Sequence, residues 1–415
     1  MGFNISLSAH QVGLAVIVLL IFYSATSLLS AIYYRLCLKI HSGSVKASVT
    51  LILPLTGHQE NLKNLLTLLE LQCLRPKRLV IAIESEDDLA YALAKNLVQT
   101  VSFPVSIVIA GLASTSSQKC HNVLAVAKTM KADDGYVVLL DADIMPPTWW
   151  LAAAIKPLLT KQYDMVSGYR WQVPVNNSVA AHVITFIDRS IALTARPPGL
   201  ALLWGGTIAM PSALLQELVK QGVLEHTISD DLMIAEYAAN KQYRILNRRV
   251  LLVPSIPPAT GLHVWKFAVR QFQIIKTYRP NLWRFTAARA VFLVISWFVL
   301  LLQYDDAIIF YGSLTIIFSL LLIKQMFSTN IAFGLGYRDH PLTLFYQYGL
   351  IIFRPVIDIL ILLALCRSMR SGVVRWSHVT YQVLAPNVIK IQARAMSTRA
   401  APKSVMSPDS RTNRR

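Results

Sequence analysis

The sequence predicts an α/β domain with a mostly parallel β-sheet, set between membrane-spanning helices at both ends of the chain. Residues 12–34 form an almost uninterrupted apolar run, short aliphatic runs alternate with helical patterns over residues 46–260, and further apolar stretches fill 287–366. Short apolar runs that alternate with helices are typical of βα units and a parallel sheet. The outer runs are long enough for transmembrane helices, which need about 20 residues per span.

The composition favours a membrane protein. The chain has 415 residues, more than one ordinary domain, and its hydrophobic content of 54% is too high for a purely soluble protein. Its 40 Lys and Arg against 22 Asp and Glu give a net charge of +18, which suits nucleic acid or an anionic membrane surface. The apolar spans favour the lipid bilayer as partner, with no nucleic acid. The 4 cysteines show no metal-ligand spacing, which favours a reduced, cytosol-facing domain.

The charges around the first apolar run predict its orientation. Residues 1–11 carry no Lys or Arg, whereas Arg35, Lys39 and Lys46 follow the run. The positive-inside rule therefore places residues 1–11 outside the cytoplasm, 12–34 across the membrane and the α/β domain of residues 46–260 in the cytoplasm. The alternative, a cleaved signal peptide, is disfavoured because the apolar run is too long and no basic residue precedes it.

The α/β region is predicted element by element from its periodicity. Strands are predicted at 49–54, 79–83, 105–109, 136–140 and 243–253, and helices at 60–74, 120–131 and 232–240. The region contains no G-x-G-x-x-G and no P-loop. A Rossmann dehydrogenase and a P-loop enzyme are therefore disfavoured.

The strand at 136–140 ends in two carboxylates, Asp141 and Asp143. Ligands in open α/β sheets bind beyond the carboxyl ends of the strands. Two neighbouring carboxylates need a cation to neutralise them, and hard oxygen ligands select Mg²⁺ or Mn²⁺, which usually also binds substrate phosphates. We therefore expect a nucleoside diphosphate here. The alternative is a solvated turn after the strand.

Three further polar clusters follow or precede predicted elements. Glu84 begins the acidic run 84–88 after the second strand, where a carboxylate could hydrogen-bond a base or ribose, unless the run is a solvated loop. Lys119 could face the diphosphate from the helix before Asp141, unless it is plain surface. Asp230 and Asp231 precede the helix 232–240, where a carboxylate could act as general base. The alternative is an acidic first turn behind an N-cap at Ser229.

The C-terminal half is predicted to lie on and in the membrane. Residues 261–286, with Trp265, are rich in aromatic and basic side chains and are typical of an amphipathic interfacial segment, with an ordinary surface helix as the alternative. Two spans at 287–303 and 307–323 precede a third apolar stretch at about 342–366. That stretch is interrupted by Arg354, for which Asp358 is the nearest partner. We interpret this stretch as re-entrant, interfacial or paired with a missed crossing, because residues 367–415 form a basic tail that prefers the cytoplasm. The tail is predicted to be disordered beyond about 392.

Several short motifs together resemble a known family. Leu140-Asp141-Ala142-Asp143, Trp204-Gly205-Gly206-Thr207 and Ser229-Asp230-Asp231 occur in this order between membrane spans. The chain resembles the membrane-bound inverting glycosyltransferases of the GT-A fold over roughly residues 10–385. It is most similar to the ceramide glucosyltransferase family (glycosyltransferase family 21) and its bacterial hopanoid-type relatives. The family's (Q/R)-x-x-R-W motif is incomplete here: its nearest register, residues 267–271, keeps Arg270 but not the Trp.

The resemblance implies a UDP-sugar donor, a membrane lipid acceptor, and Mg²⁺ or Mn²⁺ as cofactor. The expected reaction is transfer of a hexose to a lipid hydroxyl, with inversion. A processive β-glycan synthase and a non-catalytic membrane scaffold with the same fold are the alternatives. The expected residue roles are Asp231 as the base; Glu84, Lys119, Asp141 and Arg270 at the donor; Asp141 and Asp143 at the metal; and Trp204, Asp230 and Trp265 on the acceptor side.

Overall fold

The computed structural model describes residues 9–39, 45–131, 134–194 and 202–395. Within them, the strands are β1 Val49–Pro54, β2 Arg78–Ile83, β3 Val105–Ile109, β4 Tyr136–Leu140, β5 Met165–Gln172, β6 Thr207–Pro211, β7 Ile245–Ser255, β8 Val373–Trp376, β9 Val379–Ala385 and β10 Val388–Arg394. The helices are α1 Ala9–Leu36, α2 Leu62–Glu70, α3 Leu89–Val98, α4 Gln118–Ala127, α5 Trp150–Leu159, α6 Val179–Ala192, α7 Ser212–Lys220, α8 Asp230–Asn240, α9 Gly261–Tyr278, α10 Pro280–Leu301, α11 Ala307–Gly334, α12 Pro341–Gly349 and α13 Arg354–Met369.

The α/β region forms one seven-stranded sheet with the order β3-β2-β1-β4-β6-β5-β7. Neighbouring strands are parallel except β6, which is antiparallel to both β4 and β5. The predicted fold class is confirmed in its architecture: a mostly parallel α/β domain lies between helices long and apolar enough to span a membrane. The predicted strands at 49–54, 79–83, 105–109, 136–140 and 243–253 are all present within a few residues, whereas β5 and β6 were not predicted.

Helices cover both faces of the sheet, so its central strands are buried on both sides. In β1, Leu51 and Leu53 enter the core shared with α2 and α5, and Ile52 between them enters the core shared with α4 and α8. This double burial explains the continuous aliphatic run of β1, since a strand covered on both faces has no solvent-facing positions to fill with polar residues.

Three helices are long and apolar enough to cross a membrane: His10–Leu36, Pro280–Leu301 and Ala307–Gly334. The third predicted C-terminal stretch is a pair of helices, α12 and α13, bent by 85° at a short break. This agrees with the predicted interruption at Arg354, whose guanidinium lies 3.0 Å from the Asp358 carboxylate, as expected from the sequence.

The structure divides the predicted interfacial segment 261–286 at Arg279. Residues 261–278 form α9, while Pro280 begins α10, which continues through the predicted span to Leu301. Proline suits the first turn of a helix but cannot continue a preceding one, which explains the position of the break. Residues 280–286 are therefore the first two turns of a long apolar helix.

Part of the predicted basic tail folds into a second, three-stranded antiparallel sheet, β8–β10, with β9 in the centre. Alternate residues of β9, Val379, Tyr381 and Val383, are buried, which is the period of two expected for a strand. The Tyr381 hydroxyl accepts a hydrogen bond from the Gln118 backbone N–H at 3.1 Å, so this sheet docks at the start of α4. β10 extends to Arg394, so residues 393 and 394 of the predicted disordered tail are ordered in a strand. The rest of that prediction, residues 396–415, lies outside the described residues.

We expect Gly168→Ala to destabilise the fold by about 1–3 kcal/mol, the usual cost of overpacking. A Cβ on Gly168 would collide with the backbone carbonyl oxygen of Leu251 on β7, where the pairing of β5 and β7 shifts register. The control is Gly349→Ala, because a Cβ there meets nothing within 4 Å. Thermal unfolding of the purified protein in detergent measures the effect, and equal melting temperatures of the two variants would contradict it.

Candidate active site

The candidate site lies at the carboxyl end of β4, the edge of the sheet where the sequence predicts a ligand. Asp141 and Asp143 follow β4 directly. The Asp143 carboxylate accepts a hydrogen bond from the Ser255 hydroxyl at 3.2 Å, and Ile144 forms an isolated bridge with the same serine. The turn that carries both carboxylates is therefore hydrogen-bonded to the end of β7.

Lys119 joins two segments that are distant in sequence. Its Nζ lies 2.8 Å from Asp141 Oδ1 and 3.1 Å from Asp230 Oδ2. Lys119 is the second residue of α4, a helix that is capped by the Ser117 hydroxyl accepting from the Cys120 N–H. The sequence-predicted residues Lys119, Asp141 and Asp230 therefore form one ionic cluster.

Burial and charge act in opposite directions on this cluster. Burial alone lowers the pKa of Lys119, but Asp141, Asp230 and Asp231 outweigh it and hold the pKa well above its ordinary value, so the ammonium stays protonated. Asp230 is 1% exposed, and its burial raises its pKa to about 6 despite the attraction of Lys119. The lysine is thus the main compensation for a buried acid.

Asp231 is fixed by three hydrogen bonds yet partly exposed. Its Oδ1 accepts from the Ser229 hydroxyl at 2.5 Å and from the Leu232 N–H at 2.8 Å, and its Oδ2 accepts from the Gly205 N–H at 3.3 Å. Ser229 stands at the N-cap position of α8 but makes no side-chain cap bond, because its hydroxyl is used by Asp231. A fixed and accessible carboxylate is suited to accept a proton from a bound hydroxyl.

Residues 204–207 form a tight turn that packs closely against the cluster of Lys119, Asp141 and Asp230. The Trp204 N–H donates to the Ser167 hydroxyl at 2.9 Å, and the Thr207 N–H donates to the Trp204 carbonyl at 3.0 Å. A Cβ on Gly205 would lie 2.6 Å from Lys119 Nζ, and a Cβ on Gly206 would collide with the Trp204 indole. Both glycines are therefore required for this close approach.

Arg170 on β5 is a site residue that the sequence analysis missed. Its guanidinium lies 2.8 Å from Asp188 Oδ1 on α6 and 4.9 Å from the centre of the Phe267 ring on α9. It is also close enough to Asp143 to lower the pKa of that carboxyl. Arg170 is the single charged residue of β5, which was the one signal in the sequence.

Asp143 itself behaves as one of two crowded carboxylates. Asp143 is exposed at the surface, yet the protein packed around it partly desolvates its carboxylate. This desolvation, together with the charge of Asp141, raises its pKa to about 6, although Ser255 and Arg170 oppose the shift. A nearby cation would relieve the repulsion.

Arg270 lies on α9, close enough to Asp143 and Arg170 for their charges to act on its guanidinium. Its guanidinium lies over the rings of Trp376 and Phe267, at 5.3 and 5.6 Å from their centres. Its Nε is buried and has no hydrogen-bond partner within the described residues. Burial and the charge of Arg170 lower the pKa of Arg270, while Asp143 opposes them. An unpartnered, buried donor is suited to an anionic oxygen of a ligand.

Glu84 is engaged by the C-terminal sheet instead of the Lys119 cluster. Its Oε2 lies 2.9 Å from Arg394 Nη1, and its Oε1 lies 3.0 Å from His378 Nε2. The same Arg394 nitrogen donates to Gln118 Oε1 at 2.9 Å. Burial raises the pKa of Glu84, although His378 and Arg394 act against this shift. No pattern in the sequence indicates that residues near 380–394 reach the end of β2.

The two predicted tryptophans occupy different environments. Trp204 is buried, with its ring 6.3 Å from that of Tyr169. Trp265 is partly exposed in the second turn of α9, and its side chain makes no hydrogen bond or ring contact within the described part of the chain. The structure therefore brings Trp204 into the turn at the site and leaves Trp265 on the surface of the same helix that carries Arg270.

The carboxylates fit a divalent cation only if a ligand completes its coordination. Among the described residues, no group of three or more His, Cys, Asp or Glu side chains could hold a metal ion. Asp141 and Asp143 supply a pair of hard oxygen donors, and phosphate oxygens and water are the usual further ligands of Mg²⁺. The raised pKa of Asp143 beside Asp141 is consistent with a site that a cation would stabilise.

We expect Lys119→Met to destabilise the protein by about 3–5 kcal/mol, because it leaves Asp230 as a buried carboxylate without its cation. Adding Asp230→Asn should recover part of the loss, since the uncompensated charge is removed. Thermal unfolding in detergent measures both changes. The control is Lys39→Met, an exposed lysine; a Lys119 variant no less stable than this control would refute the expectation.

Comparisons with known proteins identify the family. The family model described as Glycosyl transferase family 21 matches residues 14–388. A search of curated proteins found no match. Among solved structures, the chain is similar to a mannosyltransferase from Pyrobaculum calidifontis in complex with GDP-Man and Mn²⁺, with 16% identity, 86% of this chain and 98% of that chain covered, and a TM-score of 0.47.

A second similar structure is glucosyl-3-phosphoglycerate synthase from Mycobacterium tuberculosis in complex with phosphoglyceric acid. The two chains are 14% identical, with a TM-score of 0.28. The similarity covers 42% of this chain and 64% of the synthase, slightly less than two thirds of the synthase's length. The family assignment therefore depends on the family model, which covers most of the chain: this protein belongs to glycosyl transferase family 21 and is a glycosyltransferase.

Proposed function

We propose that this glycosyltransferase moves a hexose from a UDP-sugar to the hydroxyl of a membrane lipid with inversion, as a ceramide glucosyltransferase-like enzyme. The observation that supports this most is that Asp231 and Asp141 belong to one network. Asp141 is bonded to Lys119, and the charge of Asp231 acts on the same ammonium. A candidate base and a candidate diphosphate-binding carboxylate therefore lie around one cation.

In the proposed reaction, Asp231 is the general base. Its carboxylate accepts the proton of the lipid hydroxyl while that oxygen forms a bond to the anomeric carbon. The bond between the anomeric carbon and the diphosphate oxygen breaks, and its electron pair leaves with UDP. The hydrogen bonds from Gly205, Ser229 and Leu232 hold the carboxylate in place.

The leaving UDP gains negative charge, which two cationic side chains are proposed to stabilise. Arg270 offers a buried Nε without a partner, and Lys119 lies beside Asp141. Asp141 and Asp143 would hold Mg²⁺ or Mn²⁺, which when bound supplies neutralising charge for the diphosphate. Glu84, in contact with Arg394 and His378, is proposed as the residue nearest the nucleoside.

The acceptor side of the proposal depends on α9. This helix carries Arg270 and Trp265 and leads directly into α10, one of the three candidate spans. A lipid in the adjacent leaflet could therefore present its hydroxyl to Asp231 without leaving the bilayer. With Arg35, Lys39 and Lys46 after the first span, we place the catalytic domain in the cytoplasm of a multi-pass membrane protein.

We expect Asp231→Asn to lower sugar transfer by roughly 100-fold or more, because an amide cannot accept the proton. Binding of the UDP-sugar should survive, since the cations proposed to bind the diphosphate are unchanged. Purified protein in detergent, incubated with radiolabelled UDP-glucose, UDP-galactose or UDP-N-acetylglucosamine and total membrane lipid, provides the measurement. Donor binding is followed separately by thermal shift.

The matched control is Asp305→Asn, an exposed acid in the loop between α10 and α11. Full turnover in Asp231→Asn would remove this residue as the base. A labelled product of many sugars would instead favour a processive β-glycan synthase. Absence of labelled product from the wild-type protein with every donor would favour the non-catalytic scaffold.

We expect EDTA to abolish lipid glycosylation and Mn²⁺ or Mg²⁺ to restore it. Asp143→Asn should require a higher Mn²⁺ concentration for half-maximal transfer, because one of the two carboxylate ligands becomes a weaker amide ligand. A Mn²⁺ titration of both proteins measures this difference. Transfer that is unaffected by EDTA would exclude the metal from the proposal.

A further inference from the structure

The C-terminal sheet of β8, β9 and β10 carries three aromatic or basic side chains at one of its ends. Trp376 and Arg394 are the last residues of the two outer strands, and both pair with Val379 at the start of β9. His378 immediately precedes Val379. Residues directly opposite each other in antiparallel strands project from the same face of the sheet. Trp376 and Arg394 therefore lie on one face, on either side of Val379, with their backbones about 10 Å apart.

This end of the sheet contacts two residues of the candidate donor site. Arg394 lies 2.9 Å and His378 lies 3.0 Å from the Glu84 carboxylate, as described above. Trp376 lies under the guanidinium of Arg270, with its ring centre 5.3 Å from Cζ. Glu84 is the proposed contact of the nucleoside, and Arg270 is a proposed contact of the diphosphate. One end of a small sheet therefore supports residues proposed for both parts of the nucleotide.

Apolar packing holds the C-terminal sheet against α9, the helix that carries Arg270. Val374 of β8 and Tyr381 of β9 are 2% and 1% exposed, and they belong to the same buried cluster as Ile274 of α9. Trp376 is partly buried against this cluster. Ile274 is four residues after Arg270, about one helical turn away. The packing that buries β8 therefore also sets the distance between the Trp376 ring and the Arg270 guanidinium.

Trp376 is the aromatic partner that Arg270 does not share with another cation. Within the described residues Arg270 forms no ion pair, and its buried Nε has no hydrogen-bond partner. The second ring beside it, Phe267, lies closer to Arg170, at 4.9 Å against 5.6 Å for Arg270. The face of a tryptophan ring attracts a guanidinium within about 6 Å without using any of its N–H donors. The contact with Trp376 can therefore hold Arg270 in place and leave its Nε free for a ligand.

We propose that Trp376 is a positioning residue for the donor diphosphate: its ring holds the Arg270 guanidinium so that the unpartnered Nε donates to a phosphate oxygen. Trp376 itself contacts no reacting atom and acts only through Arg270. This inference rests on the proposed function, in which Arg270 stabilises the leaving diphosphate. It makes the C-terminal sheet a part of the donor site, although this sheet lies outside the α/β domain.

The test measures binding of UDP to the full-length protein in detergent with Mn²⁺, by isothermal titration calorimetry. Trp376→Leu and Trp376→Phe both keep a large apolar side chain, but only phenylalanine offers a ring face. Trp376→Leu should weaken UDP binding by roughly fivefold or more, the effect of one desolvated cation–π contact. Trp376→Phe should lie between this variant and the wild-type protein. Equal UDP affinities of the folded Trp376→Leu variant and the wild-type protein would overturn the inference.

A double-mutant cycle separates positioning of Arg270 from a general effect on the fold. Arg270→Met should weaken UDP binding, and adding Trp376→Leu to it should cause little further loss, because the ring acts only through the guanidinium. Losses that simply add would show that Trp376 acts by another route and would overturn the inference. The matched control is Leu384→Ala, an exposed leucine of β9 in the same sheet, which should leave the affinity unchanged.

A measurement on the wild-type protein needs no variant and decides the case if Trp376→Leu does not fold. UDP with Mn²⁺ should slow hydrogen–deuterium exchange in peptides that span β8, and leave the loop between α10 and α11 unchanged. Exchange in β8 that does not respond to bound UDP would overturn the inference while the proposed function stands. Absence of UDP binding to the wild-type protein would instead overturn the proposed donor, and the inference with it.

Discussion

The arrangement of the candidate active site depends on one buried ion bridge, in which Lys119 Nζ joins Asp141 after β4 to Asp230 at the start of α8. It sets the position of Asp231, the next residue, relative to the strand end. The surrounding charges do not balance. The carboxylates are Asp141, Asp143, Asp188, Asp230 and Asp231, and the cations are Lys119, Arg170 and Arg270. An excess of two negative charges is what a divalent cation would neutralise, which supports the proposed metal without a third protein ligand.

Much of this arrangement could be predicted because it follows from local pattern and from the geometry of parallel sheets. The strand that ends in Asp141 and Asp143 is a continuous aliphatic run, and ligands bind beyond the carboxyl ends of such strands. The helix that begins near Lys119 immediately precedes that strand, so its first turn lies at the same edge of the sheet. The bond between Lys119 and Asp141 is therefore within reach of sequence reasoning.

The remaining features depend on contacts between distant segments, which periodicity does not encode. The antiparallel β6 lies between β4 and β5, and Arg170 of β5 is nevertheless close enough to Asp143 to act on its pKa. Arg394 of the C-terminal sheet contacts Glu84, although most of the chain lies between these two residues in the sequence. At Ser229 the exception is local: the sequence correctly predicts the N-cap position, but the hydroxyl bonds the side chain of Asp231, two residues on, instead of the backbone.

Helix α6 explains how the catalytic domain and the membrane helices depend on each other. Three consecutive residues point in three directions, because successive side chains on a helix are about 100° apart. Asp188 holds Arg170 of the active site, Arg189 pairs with Asp339 between α11 and α12, and Ser190 bonds Lys324 within α11. The position of Arg170 thus depends on how α6 packs against the membrane helices. A catalytic domain cut free of those helices would lose the contacts of Arg189 with Asp339 and of Ser190 with Lys324, which weakens the support of the Arg170 guanidinium beside Asp143.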